Sequence, residues 1–270
     1  MSMILTPENY YSKEANQHYM SVSQFKDFDN CEAAALAKLN GEYSEGEVDA
    51  FTLGSYVHAA VEGTSAFDEF VGNHPEIYCK SGSNKGELRS EFKKADLMID
   101  TVLKDPLCAQ MLEGDKETII TAELFGVKWK SKIDVLNIDA GRMTDLKTVK
   151  EIRAKYWNNE LRRWESFVEH YGYTIQMGVY TELERIHNRR FDRLEPFIVA
   201  VSKEEVPDKE IICFDDTTLD TALQKVAEKL PRIISVKEGF DEPKRCGKCK
   251  YCRRTKKAQI VHFMDLLEVI

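Results

Sequence analysis

The chain has 270 residues, 43% of them hydrophobic and 10% aromatic, enough to build a sizeable core and too many for an intrinsically disordered protein. Its 38 basic and 46 acidic residues leave a formal charge of -8, so it does not hold polyanions by bulk charge, and any nucleic-acid contact has to be local. No apolar run approaches the roughly 18 residues of a membrane helix, Met1 to Tyr10 has neither the basic nor the apolar region of a secretion signal, and three of the seven cysteines crowd into Cys246, Cys249 and Cys252, which suits metal ligation in a reducing, cytoplasmic setting.

In chain order, the Ala- and Leu-rich stretch from Glu32 to Leu39 predicts a helix capped by Asn30, with Cys31 in its first turn. The acidic Gly41 to Asp49 and the Gly/Ser/Lys run Lys80 to Gly86 read as loops. Phe51 to Glu62 reads as a short helix with Val57 and Val61 on one side and His58 and Glu62, four apart, on another. From Thr118 to Val149 the period falls to two, as in strands turned at Gly126 and again at Asp139-Ala140-Gly141. Val127, Trp129, Ile133 and Val135 then share a core face, and Lys128, Lys130, Lys132 and Asp134 the opposite, polar face. Past the second turn Asp145 and Lys147 point one way and Leu146 the other.

Phe167 to His187 reads as one helix with a buried seam of Tyr171, Ile175, Val179, Leu183 and Ile186, flanked on a shared side by Gln176 and Tyr180. Strands follow at Phe197 to Val201 and around Ile211 to Phe214. A last helix, begun by Asp216 and Thr217, carries Leu219, Leu223, Val226 and Leu230. The order predicts an α/β fold, a central mixed sheet flanked by helices, in one domain over 1–270. A helical segment (about 1–50) and a cysteine-rich segment (about 241–270) decorate it.

Hydrolysing a phosphodiester requires neutralising charge on the phosphate and deprotonating a water near neutral pH, which carboxylates do by fixing Mg²⁺ or Mn²⁺ against the scissile group. Asp134, a turn, and then Asp145-Leu146-Lys147 supply two carboxylates and an ammonium from adjacent strands. An acid-x-Lys tripeptide alone says little, since Glu91-Phe92-Lys93 has the same form; the alternating strand before Asp134 and the turn between the acids give it weight. With Leu53-Gly-Ser-Tyr-Val-His58-Ala-Ala-Val-Glu62, Glu123, Ser131-Lys-Ile-Asp134, Thr144-Asp145-Leu-Lys147-Thr148 and Tyr173-Thr-Ile-Gln176-Met-Gly-Val-Tyr180 in this order, the chain resembles the PD-(D/E)XK nuclease superfamily, and within it the RecE-like exonucleases of phages and prophages. The resemblance implies a restriction-endonuclease-like sheet, His58, Asp134 and Asp145 as ligands of Mg²⁺ or Mn²⁺, and Lys147 as base or water-orienting group. It implies Gln176 and Tyr180 as auxiliary catalytic residues, and Glu123 with them. Glu62 reads as a surface partner of His58, and the three strand lysines as a solvated face that would lie near a DNA backbone.

Cys246-Gly-Lys-Cys249-Lys-Tyr-Cys252 places three thiols close enough for one metal centre, and Cys31 is the candidate fourth ligand. A cysteine near the start and three near the end resemble the iron–sulfur staple of AddB-type and CRISPR-associated nucleases, which implies a 4Fe–4S cluster joining the chain ends; Zn²⁺ held by four thiolates fits the same residues. Cys79, Cys108 and Cys213 lack ligand spacing. Lys244 to Lys257 hold eight basic side chains and no acid, making Lys248, Lys250, Arg253 and Arg254 candidates for phosphate contacts.

The expectation is therefore a metal-dependent exonuclease resecting duplex DNA ends for recombination. The resemblance implies 5′ to 3′ polarity, a RecT-like single-strand annealing protein as partner, and a ring-shaped homo-oligomer. The rivals are an iron–sulfur nuclease of the CRISPR-associated or AddB kind acting on single strands or flaps, and a catalytically silent DNA- or protein-binding module.

Overall fold

The computed structural model describes residues 3–44 and 49–264; residues 1–2, 45–48 of the expected acidic loop, and 265–270 of the C-terminal segment lie outside the described residues. Helices α1 (Lys13–His18), α2 (Val22–Asn30), α3 (Glu32–Asn40), α4 (Asp49–Glu62) and α5 (Thr64–Asn73), a 3-10 turn at Pro75–Ile77, α6 (Ser90–Leu103) and α7 (Pro106–Met111) precede the strands β1 (Asp115–Leu124), β2 (Val127–Asn137) and β3 (Arg142–Val149). A small hairpin, β4 (Tyr156–Asn158) and β5 (Arg163–Glu165), leads into α8 (Phe167–His170) and α9 (Tyr173–His187), followed by β6 (Glu195–Ser202), β7 (Lys209–Cys213), α10 (Asp216–Lys237) and α11 (Lys250–Arg254). The five-stranded sheet has the order β1-β2-β3-β6-β7, with β3 and β6 parallel and the other neighbours antiparallel. It is a mixed α/β fold with helices on both faces.

Three element boundaries differ from the sequence expectation, each for a local reason. Asn30 is the last residue of α2 and caps nothing; Cys31, extended at φ -164 and ψ 103, ends α2 and starts α3. The α10 cap is Asp215, whose carboxylate accepts from the Thr218 amide, ahead of the expected Asp216 and Thr217. The expected helix from Phe167 to His187 breaks in two because Gly172 sits at φ 64, in the left-handed region that glycine adopts without strain. The break turns Tyr171 to solvent, whereas Val179 and Leu183 stay fully buried.

One face of the sheet packs Trp129 and Ile133 against Phe25 and Phe28 of α2, Val179 and Leu183 of α9, and the Leu223 to Val236 side of α10. The other packs Val135, Leu146, Val199 and Val201 against α4, α6 and α7. Strict alternation would keep Ile133 and Val135 together, but β2 changes sides between them. Opposite this point, flanked by the pairs Lys116↔Val135 and Thr118↔Ile133, Glu117 takes φ 51. Here β2 and β3 also part: their ladder runs only from Asn137↔Arg142 to Val135↔Thr144. Beyond it the Asp134 carboxylate accepts the Leu146 amide at 2.8 Å, replacing a backbone partner. The β2 edge freed by the split is covered by Met20, which accepts from the Lys130 amide and donates to the Lys128 carbonyl, both at 2.8 Å.

The lysine face of β2 is less solvated than expected. Only Lys128 is exposed. Lys130 is buried, donates to the Tyr10 carbonyl and to Asn16 Oδ1, and lies 4.5 Å from the Tyr10 ring centre; burial lowers its pKa to about 8. Lys132 pairs with Glu117.

Candidate active site and cysteine centre

The parting of β2 and β3 opens a cleft of about 1240 Å³, walled by α2, α4 and α9. His58, one turn after Gly54 on α4, brings its Nδ1 to 3.4 Å from Asp134 Oδ2. Burial raises the Asp134 carboxyl to about 6, with the Asp145 charge adding to it and His58, Lys147 and the Leu146 amide opposing. Asp145, 3% exposed, is fixed from two sides: Gln176 Nε2 donates to Oδ1 at 2.6 Å, and the Lys147 ammonium pairs with Oδ2. Burial works against a charged Lys147, but Asp145 and Asp134 outweigh it and hold the ammonium above its ordinary range. Its Nζ stands 5.0 Å from the centre of the Tyr173 ring. Tyr180 lines the same cleft, with its phenol pushed well up by burial.

Of the residues singled out from the sequence, His58, Asp134, Asp145, Lys147, Gln176 and Tyr180 all line this cleft. Glu123 does not. It is exposed beside the β1–β2 turn, opposite Lys128, six residues along β1 from the acid that does reach the cleft, Glu117. Ligand atoms of His58, Glu117 and Asp134 lie within 4.8 Å of one another, a nitrogen and two carboxylates suited to a divalent ion. Asp145, expected as a ligand, is not in that group; its oxygens face Gln176 and Lys147. Glu62 is exposed, as expected, and also lines the open cleft, where partial desolvation and the Glu117 charge raise its pKa.

Lys26 of α2 is a cleft residue that the sequence reading missed. It donates to the Tyr171 carbonyl at 3.1 Å, and its Nζ lies 5.4 Å from the Tyr173 ring centre, on the ring that also carries Lys147. Burial and the Lys147 charge lower it to about 8. No local pattern marks Lys26; docking of α2 across the split sheet puts it there.

The four cysteines come together across the whole chain. Sγ atoms of Cys31 and Cys252 are 3.6 Å apart, those of Cys249 and Cys31 3.8 Å, and those of Cys246 and Cys252 4.0 Å, with all four within 4.8 Å. These are close to the edges, about 3.8 Å, of a tetrahedron around one ion roughly 2.3 Å from each sulfur. Burial opposes ionisation of Cys246, but the Cys249 and Lys248 amides overcome it and bring this thiol down to about 6. Arg232 braces the junction by pairing with Glu32 at 2.8 Å. Lys248, Lys250, Arg253 and Arg254 are exposed on and beside α11, and none lines the cleft.

Residues 21–255 match a family profile described as a PDDEXK-like domain of unknown function (DUF3799). A crystal structure of a candidate exonuclease from Eubacterium rectale is similar at 38% identity over 100% of both chains, with a TM-score of 0.91. A second solved structure, SSO0001, aligns with 88% of this chain and 96% of its own at 13% identity and a TM-score of 0.29, too distant to carry an argument. No curated protein matches the chain.

Proposed function

The chain belongs to the PDDEXK-like DUF3799 family, and from that premise we propose that it is a divalent-metal-dependent DNA exonuclease that resects duplex ends, 5′ to 3′, leaving single strands for a RecT-like annealing protein. The observation that carries this reading is the meeting of Asp134, Asp145 and Lys147 with His58 and Glu117 at the split between β2 and β3. His58, Glu117 and Asp134 would hold Mg²⁺ or Mn²⁺, which would offset charge on the scissile phosphate and acidify a water. Asp145, locked by Gln176, holds the Lys147 ammonium over Tyr173. Because that ammonium stays charged at neutral pH, Lys147 orients the attacking water and stabilises phosphate oxygens instead of taking the proton. Lys26 adds a second cation for the strand backbone.

The same reading puts a thiolate-bound metal between Cys31 and the C-terminal cysteines. The two-residue gaps of Cys246, Cys249 and Cys252 suit an iron–sulfur cluster, and the sulfur separations suit a single Zn²⁺. Protein purified without air separates them: absorption near 400 nm (rough expectation for thiolate-to-iron charge transfer) means iron, and colourless protein with equimolar zinc means Zn²⁺. This centre also favours a second reading, a nuclease of single strands or flaps, which a comparison of end-labelled duplex and single-stranded DNA separates from the first. Digestion of the duplex in Mg²⁺, its loss in EDTA, and its loss in Asp145→Asn are the expected results; full digestion by Asp145→Asn removes the proposal.

A further inference from the structure

The β4–β5 hairpin stands apart from the main sheet and turns a tryptophan pair outward. Trp157 and Trp164 are register partners, with ring centres 5.4 Å apart at 71°. Yet they remain 47% and 61% exposed, so the pairing leaves ring faces open. The opposite side of the hairpin is fully engaged. Tyr156 stacks on His170 at 4.3 Å and 13°, Glu165 is buried and accepts from Asn158 at 2.8 Å, and Arg163 pairs with Glu169 at 2.8 Å. An isolated two-stranded hairpin is marginal in water, and this one is anchored by that inner side. Its tip is ordered too: Asn158 Oδ1 accepts from the amides of Glu160 and Leu161, both at 2.9 Å.

Two further features indicate what the open face takes. Lys155 and Arg162, each two residues from a tryptophan, are exposed, and neither pairs with a carboxylate among the described residues, in a chain whose net charge is -8. The hairpin is also continuous with the cleft: Tyr156 touches Tyr171 at 5.5 Å, Tyr171 touches Tyr173 at 6.0 Å, and Tyr173 carries Lys147. Aromatic faces bracketed by cations fit unpaired bases with their phosphates, since every base has a π-face and the backbone supplies the negative charge. We propose that the hairpin is a single-strand subsite, in which Trp157 and Trp164 stack on unpaired bases next to the cleft while Lys155 and Arg162 hold the backbone. This deepens the nuclease reading and rests on it for the identity of the strand.

The test is a fluorescence titration of the full-length protein with a twelve-residue oligothymidylate in EDTA, where no digestion occurs. Three tryptophans are present. Trp129 is buried, so quenching reports on the exposed pair. Saturable quenching is expected, with binding weakened about tenfold by Trp157→Ala or Trp164→Ala and largely kept by the Phe variants. Lys155→Gln with Arg162→Gln should lower the slope of log affinity against log salt by about 1.4. Circular dichroism and the Trp129 emission check that the variants fold. Wild-type protein without saturable quenching, or a double Ala variant whose binding of a dye-labelled oligothymidylate, read by anisotropy, matches wild type, overturns the proposal. So does a double Ala variant that dissociates an oligomer with DNA binding unchanged, which would make the face a subunit interface. Failure of the nuclease reading shows separately, as unchanged duplex digestion by Asp145→Asn.

Discussion

The acidic cleft and the cysteine centre both crowd together groups that resist burial, and they are held by different means. Where β2 and β3 part, three acids have partners in the protein itself: Asp145 has Lys147 and Gln176, Asp134 has the Leu146 amide and His58, and Glu117 has Lys132. The cysteine centre has much less. Its sulfurs accept from the amides of Cys249 and Cys252 at 3.3 Å, and the residues they join lie more than 200 positions apart. The cleft is therefore preorganised by the fold, whereas on the proposed reading the centre would need a bound metal to offset the charge of four ligating thiolates. Losing the metal from the cleft should cost activity, and losing it from the centre should cost stability.

The largest expected effect separates the two regions most sharply. Lys147→Met should lower duplex digestion about 10²- to 10⁴-fold, the range for losing a positioned catalytic group, while the metal content of the cysteine centre stays unchanged. Digestion at the wild-type rate by Lys147→Met would remove Lys147 from the chemistry. Cys31→Ser, or stripping of the centre by a chelator, should do the reverse at first, lowering the melting temperature by roughly 10 °C as the junction of α2 and α3 loosens from the C-terminal segment. An unchanged melting curve would contradict the staple.

Smaller effects probe the ligands. Asp134 is raised from 3.8 to about 6, so its proton stays on below about pH 6. Without metal, its contribution to stability is fullest below its unfolded pKa and is lost as pH rises through 6, where the buried carboxyl must ionise. Metal uptake has the opposite dependence: affinity should fall about tenfold per pH unit below 6 and level off with respect to this group above it. A profile that is flat from pH 5 to about 7 in wild type would exclude Asp134 as a ligand. Smallest is the contrast between two glutamates of β1. Glu117→Gln should weaken Mn²⁺ binding about tenfold, and Glu123→Gln should leave it unchanged; the reverse result would put the ligand at the hairpin turn.

The parts legible from residues alone are those governed by short-range rules. Two-residue alternation and the turns at Gly126 and Gly141 suffice to put Asp134 on the strand next to Asp145 and Lys147, whereas the end of the ladder at Val135↔Thr144 and the change of sides between Ile133 and Val135 leave no local mark. The two-residue gaps in the cysteine run likewise point to one centre. What stayed hidden depends on distant packing or one unusual dihedral. Glu117 enters the cleft because φ 51 reorients it within an otherwise regular strand, and Glu123, with the same chemistry, stays at the turn. Lys26 arrives with α2, and Lys130 is buried because Tyr10 and Asn16 fold over it. The β4–β5 hairpin was not expected because three-residue strands are too short to show alternation.

The central claim is that residues from a helix and two strands share one divalent ion. Calorimetric titration with Mn²⁺ of protein whose cysteine centre is already loaded tests it most directly. Saturable uptake by wild type that disappears in Asp134→Asn, with the cysteine-bound metal unchanged, is the predicted result. Equal uptake by both proteins, or none by wild type, would contradict it.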